Sequence, residues 1–424
     1  MIKRTQKAVL FLLASVCSLA YSQDIPAVTG PSTSQGFSLP DTQGALTFAI
    51  VGSEIARTGY YGAGGVIWSS TISGDVGYLS KSSIHPFSAV YSGGYSYFSS
   101  SRPSTVFQNL MLSQTFNVGR FLFSASNSFR YLPESPIGGL SGLAGLPGIG
   151  IPSPGPPGPQ GIISPFGQRV NNDTTVSVTR QITGRTAISG SGAYTFMKFL
   201  DVASGIDNND VDGQGMVSHQ INSLNSVNGD YVYSKFSYPG QNFSFITQSV
   251  HAGFSRQWNR RLTTSASAGP QRTSSSSTLL PSGINVSANA SATYIIESHT
   301  SAALNYVHGV RSGSGVVRGA IADSLGLTGT RQIGEFSHVD VRAIYTGHSS
   351  LPITGTTPYS TRTIVTGIQY SRALGQYLSG YLSYTAQEQS VSGSTSVVNG
   401  FTGLSQSFAV GLTYSPHPIH IGHQ

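Results

Sequence analysis

Charge is what this chain lacks most. Asp, Glu, Lys and Arg make up 9% of its 424 residues, against about a quarter in ordinary soluble domains. A water-facing surface so poor in charge would not keep a protein of this size dispersed. Cysteine is nearly absent too, Cys17 being the only one, which excludes a disulfide framework and a thiolate metal site. No apolar run beyond the N-terminal region is long enough for a transmembrane helix, and the mean hydropathy is −0.02. The formal charge of +7 is scattered, not gathered into a basic stripe, so nothing points to a nucleic-acid partner. These absences suit one class of chain. A protein that crosses lipid with strands needs no charge on its outer face, and because half its residues point away from lipid its hydropathy stays moderate.

The N-terminus supplies an export signal. Lys3, Arg4 and Lys7 precede the apolar run from Ala8 to Ala20, and small residues follow in Ala20-Tyr21-Ser22, so residues 1–22 read as a signal peptide cleaved between Ser22 and Gln23. Cys17 is then apolar filler of that segment, and the mature chain has none. Basic residues fall from 23 to 20 against 16 acidic, a net charge of +4. Residues 23–44, rich in Pro, Ser and Gly, read as an unstructured periplasmic lead-in.

From Ala45 onward the polarity period is two. Val66, Trp68, Ile72, Val76 and Tyr78 alternate with Ser69, Thr71, Ser73 and Asp75. Phe121, Phe123, Ala125, Phe129 and Tyr131 alternate with Ser124, Ser126, Ser128 and Arg130, and Phe408, Val410, Leu412 and Tyr414 close the series. Such alternation is strand periodicity. The runs last about 11 to 15 residues, longer than soluble strands and enough for a tilted bilayer crossing. Unpaired backbone groups cannot stand in lipid, so the sheet must close on itself. The pattern predicts an all-β transmembrane antiparallel up-and-down β-barrel over residues 45–415, with about 18 strands and 16 as the alternative. Two of the expected strands cover 213–224 and 316–332.

A polar turn recurs between these runs. Arg180-Gln181-Ile182, Arg256-Gln257-Trp258, Arg331-Gln332-Ile333 and Arg372-Ala373-Leu374 each open a short link into the next alternating run. Their first arginines lie 76, 75 and 41 residues apart by sequence number, close to two, two and one copies of a hairpin unit of roughly 38 residues. Short links mark the periplasmic side of such barrels, so Arg180, Arg256, Arg331 and Arg372 are expected as headgroup anchors on the periplasmic rim.

The signal peptide, long alternating strands, short-turn and long-loop asymmetry and aromatic-rich last strand resemble Gram-negative outer-membrane β-barrels of the porin type, in particular uncharacterised porin-like members. The resemblance covers residues 45–415. It implies location in the cell outer membrane, contact with outer-membrane lipids and lipopolysaccharide, and handling by periplasmic chaperones and the barrel assembly machinery. It implies passive diffusion of small polar solutes, with no enzymatic activity and no cofactor, and leaves the oligomeric state open. Barrels of this class usually end on an aromatic residue. Here Ser415 to Gln424 follow Tyr414, and residues 416–424, with His417, His420 and His423, read as a periplasmic tail, not as a metal site. Some relatives are associated with exopolysaccharide export, so a structural or export-accessory barrel with an occluded lumen is the alternative.

Candidate pore residues follow from charges on the wet face: Arg318, Asp323, His338, Asp340 and Arg342. A barrel hydrolase built on His338 and Asp340 is a minor alternative, since general-base work needs such a pair within hydrogen-bond reach. The Pro/Gly-rich extracellular loop 133–170 either enters the lumen, with Glu134 and Arg169 as its charges, or stays at the surface. The acidic run Asp201, Asp207, Asp210 and Asp212 is expected in another extracellular loop.

Overall fold

The computed structural model describes residues 44–59, 65–82, 85–99, 104–132, 167–200, 205–275, 280–313, 317–353, 358–393 and 402–420. The expected signal peptide, the lead-in through residue 43 and Glu134 lie outside the described residues.

A single antiparallel sheet runs through the chain. Its first half comprises β1 (Ala45–Thr58), β2 (Ile67–Leu79), β3 (Phe87–Phe98), β4 (Thr105–Val118), β5 (Phe121–Leu132), β6 (Arg169–Gln181), β7 (Thr186–Phe199), β8 (Asn208–Gln220) and β9 (Asn225–Tyr238). The second half comprises β10 (Phe243–Gln257), β11 (Leu262–Ser275), β12 (Gly283–Glu297), β13 (Thr300–Arg311), β14 (Ala320–Ile333), β15 (Ser337–Ser350), β16 (Tyr359–Ala373), β17 (Leu378–Gly393) and β18 (Gly403–Tyr414). Each strand pairs with the next, and β1 pairs back onto β18 from Ile50↔Tyr414 to Thr58↔Gln406. The sheet is therefore an 18-strand closed up-and-down barrel, as the alternation predicts. A two-residue strand, β19 (Ile419–His420), continues beyond β18 and pairs with Leu46 and Ala45 at the start of β1. The tail thus extends the seam, and His417 sits edge-on to Tyr377 with ring centroids 4.7 Å apart.

The outer wall is apolar because lipid is its solvent. Exposed outward residues include Trp68, Ile72, Tyr95, Phe123, Val176, Tyr231, Leu325, Leu382 and Val410, and the residues between them point inward. On β16 the outward arginines Arg362 and Arg372 lie ten residues apart, about 33 Å along a strand. At a tilt of roughly 40° that becomes about 25 Å of height, the apolar band of a bacterial barrel.

The connections separate by rim. One rim carries the tight links 119–120, 182–185, 221–224, 258–261, 298–299, 334–336 and 374–377 with the longer 80–86, and the other carries 133–168, 200–207, 312–319, 351–358 and 394–402 with the short 239–242. The tight links share a mechanism. In Ile182, Ile221, Trp258 and Leu374 the amide donates to the carbonyl four residues on, at 2.8 to 3.0 Å. In the first three, a side-chain oxygen at the next position caps the turn: Asn259 Oδ1 accepts from the amides of Arg261 and Leu262, both at 2.8 Å. Asn222 and Thr183 do the same. All four arginine turns fall on this rim. So does the 221–224 link, which lacks an arginine before it.

Candidate functional site

The lumen wall is polar in composition and uneven in filling. From β4 through β14, inward side chains near the short-turn rim are half-buried or exposed, as with Asn117, Ser124, Ser177, Ser189 and Thr328, so this half encloses solvent. Nearer the long-loop rim the inward residues are buried: Ser69 and Thr71 on β2, Thr105 on β4, Thr247 on β10, Thr363 on β16. Hydroxyls bond across strands there, as in Thr71–Ser96 at 2.8 Å and Thr363 donating to Gln389 at 2.7 Å.

Two apolar clusters sit on the inward face, against the simple alternation. One joins Val51, Ile55, Phe107, Leu132, Tyr381 and Ala409. The Phe107 ring lies across Gly94 of the neighbouring strand, where an added Cβ would sit 2.4 Å from it. The other cluster fills one side of the long-loop mouth: Phe236 and Tyr238 of β9, Phe243 and Phe245 of β10, Val310 at the end of β13, Leu280 from the β11–β12 connection, and Leu351 and Ile353 from the β15–β16 connection. Its rings stack closely, Phe236 and Phe245 having centroids 4.7 Å apart. Tyr238 Oη donates to the Ser312 carbonyl at 2.6 Å, and the Ser312 side chain reaches Asp210 of β8. The start of the β13–β14 connection is thereby tied to the wall formed by β8 and β9.

Inward charges of both signs occur along the wall. Asp210, Asp212 and Asp230 line β8 and β9, and Asp173 of β6 pairs with Arg130 of β5. Asp230 also accepts from Gln214 at 3.3 Å and meets His251 Nδ1 at 2.9 Å, a buried pair on adjacent strands. Arg311 at the end of β13 and Arg342 and His348 of β15 face the lumen on another sector.

The expected pore residues divide. His338, Asp340 and Arg342 share the inward face of β15, as predicted. His338 Nε2 lies 2.7 Å from Ser371 Oγ on β16, but no hydrogen bond joins it to Asp340 among the described residues. Arg169 opens β6, buried, with its guanidinium 4.8 Å from the Phe199 ring. Asp323 does not line the pore. It alternates with Leu325 and Leu327 on the outward face of β14, bonded to Tyr306 Oη and His308 Nδ1, both at 2.8 Å. Arg318 is not on a strand, because β14 starts at Ala320 and Arg318 lies in the connection before it. Asp210 and Asp212, expected in a loop, face inward on β8, which begins at Asn208 and not at 213. Asp201 lies outside the described residues, while Asp207 caps the end of β7, accepting from the Phe199 amide at 2.8 Å. The rim arginines face outward: Arg180 lies 5.1 Å from the Phe121 ring and Arg256 4.1 Å from Trp258, with Arg331 and Arg372 exposed. Among the described residues no group of three His, Cys, Asp or Glu side chains is arranged to hold a metal.

A closed wall, apolar outside and polar inside, defines an antiparallel β-barrel of the membrane-spanning kind. Among solved structures, the chain is similar to OccK2 (OpdF) of Pseudomonas aeruginosa, with 8% identity, 89% of this chain and 98% of that one covered, and a TM-score of 0.44. It is similar also to OpdQ of P. aeruginosa, at 9% identity, 88% and 99% coverage and a TM-score of 0.43. For OccAB1 of Acinetobacter baumannii the figures are 11%, 88%, 96% and 0.42. No family model and no curated protein matches the chain in sequence.

Proposed function

We propose that this barrel is an outer-membrane diffusion channel for small polar solutes, exported through its signal peptide and inserted with the tight turns in the periplasm. One observation carries the reading: inside an apolar wall, the inward rows are Ser, Thr, Asn and Gln with charges of both signs. Water and polar solutes are stable against such a surface, and a solvent-filled half opens at the tight-turn rim. The inward rows carry Asp75, Asp173, Asp210, Asp212, Asp230 and Asp340 together with Arg57, Arg130, Arg169, Arg311 and Arg342, so the net inward charge is small. In planar bilayers the folded protein is expected to give discrete conductance steps, with potassium and chloride permeabilities within about twofold of each other. Folded barrel that inserts and stays electrically silent would reject the channel.

An export-accessory or structural barrel is the second reading, favoured by the apolar filling of the long-loop mouth. Hydrolysis has less support. His338 and Ser371 are placed as base and nucleophile would be, but the third group that should orient the imidazole is not bonded to it.

A further inference from the structure

One seam of the wall stops short of the long-loop rim. The β12–β13 ladder ends at Ala288↔His308, although β12 begins at Gly283 and β13 runs on to Arg311. The neighbouring seams pair to their ends, at Thr273↔Gly283 on one side and Arg311↔Ala320 on the other. A continued ladder would set Val310 opposite Val286, both facing out. Instead β13 bends inward at Gly309, where an added Cβ would sit 3.2 Å from Gln271 Oε1 and Ser287 Oγ. The Val310 amide donates to Gln271 Oε1, an inward group of β11, at 2.9 Å, and its side chain joins the cluster around Phe245. The result is a gap. Val310 is 3% exposed, while Ile284 and Val286 on the β12 lip are 77% and 59% exposed. Ala288 and His308 lie ten and nine residues from the 298–299 link, whereas Arg362, at the upper edge of the apolar band, lies twelve from its own link at 374. The gap therefore opens at the top of the hydrocarbon and not above it.

Polar groups mark a way through it. Beside the gap, on the outer face, Asp323 Oδ1 meets both Tyr306 Oη and His308 Nδ1, a polar cluster that lipid alone would penalise. With Nδ1 so engaged, Nε2 is the imidazole atom left for a ligand. On the lumen side Arg311 ends β13 and Arg318 precedes β14. The carboxylates along this path are already held, Asp323 as described and Asp210 by Asn208 and Ser312. An anionic head suits that arrangement. The vacated place is one strand wide, about 4.8 Å, room for one acyl chain and not for the paired chains of a phospholipid. We propose that the β12–β13 seam is a side entrance for a single-chain fatty carboxylate, which leaves the bilayer between Val286 and Val310, its chain on the Phe245 cluster and its head passing from His308 to Arg311. This goes beyond the axial channel proposed above and adds a second class of substrate, one that reaches the lumen from lipid.

The test uses folded barrel in lipid vesicles and a dodecanoate that carries a photoreactive diazirine near its methyl end, with mass spectrometry locating the label. Wild type and a Glu54→Gln control on β1 should be labelled at Ile284, Val286 and Phe245, and plain dodecanoate should compete. His308→Gln and Arg311→Gln should each lower the labelling of Phe245 by about tenfold, the loss of one charge-assisted bond to the head. Photoreactive dodecanol, which has no charge, should label Val286 and spare Phe245. If Arg311→Gln does not fold, His308→Gln on the outer face decides alone. Label spread evenly over the outward wall overturns the entrance. So does labelling of Phe245 that ignores both substitutions, which would mean entry down the axis. Planar-bilayer conductance of the same preparations is read separately. A barrel that conducts but takes no label at the seam rejects the entrance and keeps the channel, whereas a silent barrel labelled at the seam rejects the channel alone.

Discussion

Replacing Tyr238 and Phe245 together by serine should raise single-channel conductance roughly threefold, because two rings that bury about 150–250 Å² each leave the narrow half of the lumen. Both side chains are nearly solvent-free, at 1% exposure, and both belong to the cluster that ties the β9–β10 hairpin to Leu280, Leu351 and Ile353. Tyr238 also holds the Ser312 carbonyl, so its loss leaves the start of the β13–β14 connection tied to this wall through Asp210 alone. In a soluble core such a pair of changes would cost several kcal/mol. Here the fold is held by ladders on both sides of every strand, so the barrel should still form, and its shifted mobility on unheated gels checks that. The double variant separates the two functional readings. A channel narrowed by this cluster gains current in proportion to the space vacated, whereas a lumen sealed along its whole length stays silent in both forms.

The second large effect is expected at Gly269. On β10 and β11 the pairing runs from Phe245↔Ser275 to Ser249↔Gln271, skips, and resumes at Ala252↔Ala268. Pro270 has no amide to donate there, and the two backbones approach so closely that a Cβ on Gly269 would lie 1.8 Å from the Val250 carbonyl oxygen. Neither group can yield, since both are main chain. Gly269→Ala should therefore destabilise the barrel by about 3 kcal/mol, read as a lowered urea midpoint for the folded band in lipid. Gly213→Ala is the matched comparison. Its Cβ would meet nothing within 4 Å, so the midpoint should move by less than about 0.5 kcal/mol in equivalent terms. Equal shifts in the two variants would mean that the close approach at Val250 relaxes at no cost.

Much of this wall was readable because lipid imposes a strict rule on every second residue. Trp68, Ile72 and Val76 had to face out, and strands built on such triplets came out with ends correct to a few residues. The rule weakens where lipid ends. Asn208, Asn209 and Asp210 have loop composition, yet they begin β8, since beyond the apolar band a strand may be polar on both faces. The same relaxation hid the side taken by Asp323: near the rim an outward carboxylate is held by Tyr306 and His308, so its charge says nothing about which way it points. The expected strand 316–332 began before Ala320, and Arg318 was taken in with it.

Side-chain contacts between neighbouring strands were less legible still. His338 meets Ser371, and Asp230 meets His251, through register between strands, which no local spacing encodes. The inward rings of Phe236, Tyr238, Phe243 and Phe245 follow the parity of the wet face while contradicting its chemistry. Only a connection from elsewhere in the chain, folded in over them, makes their burial favourable. The arginine turns all fall on one rim, as their spacing implied, but arginine is not what builds them. In three tight links the working unit is an apolar residue followed by Thr or Asn, as in Ile182-Thr183 and Trp258-Asn259, and it recurs at Ile221-Asn222, where no arginine precedes it.

The ten-residue interval between Arg362 and Arg372 also fixes the bilayers in which this barrel is at ease. Strands in a closed sheet cannot tilt one by one, so hydrophobic mismatch has to be absorbed by the lipid and not by the protein. Bilayers of short-chain lipids, near 25 Å of hydrocarbon, match the wall as built. Thicker ones must thin around it, and that deformation ranks host membranes by acyl-chain length before any headgroup is recognised.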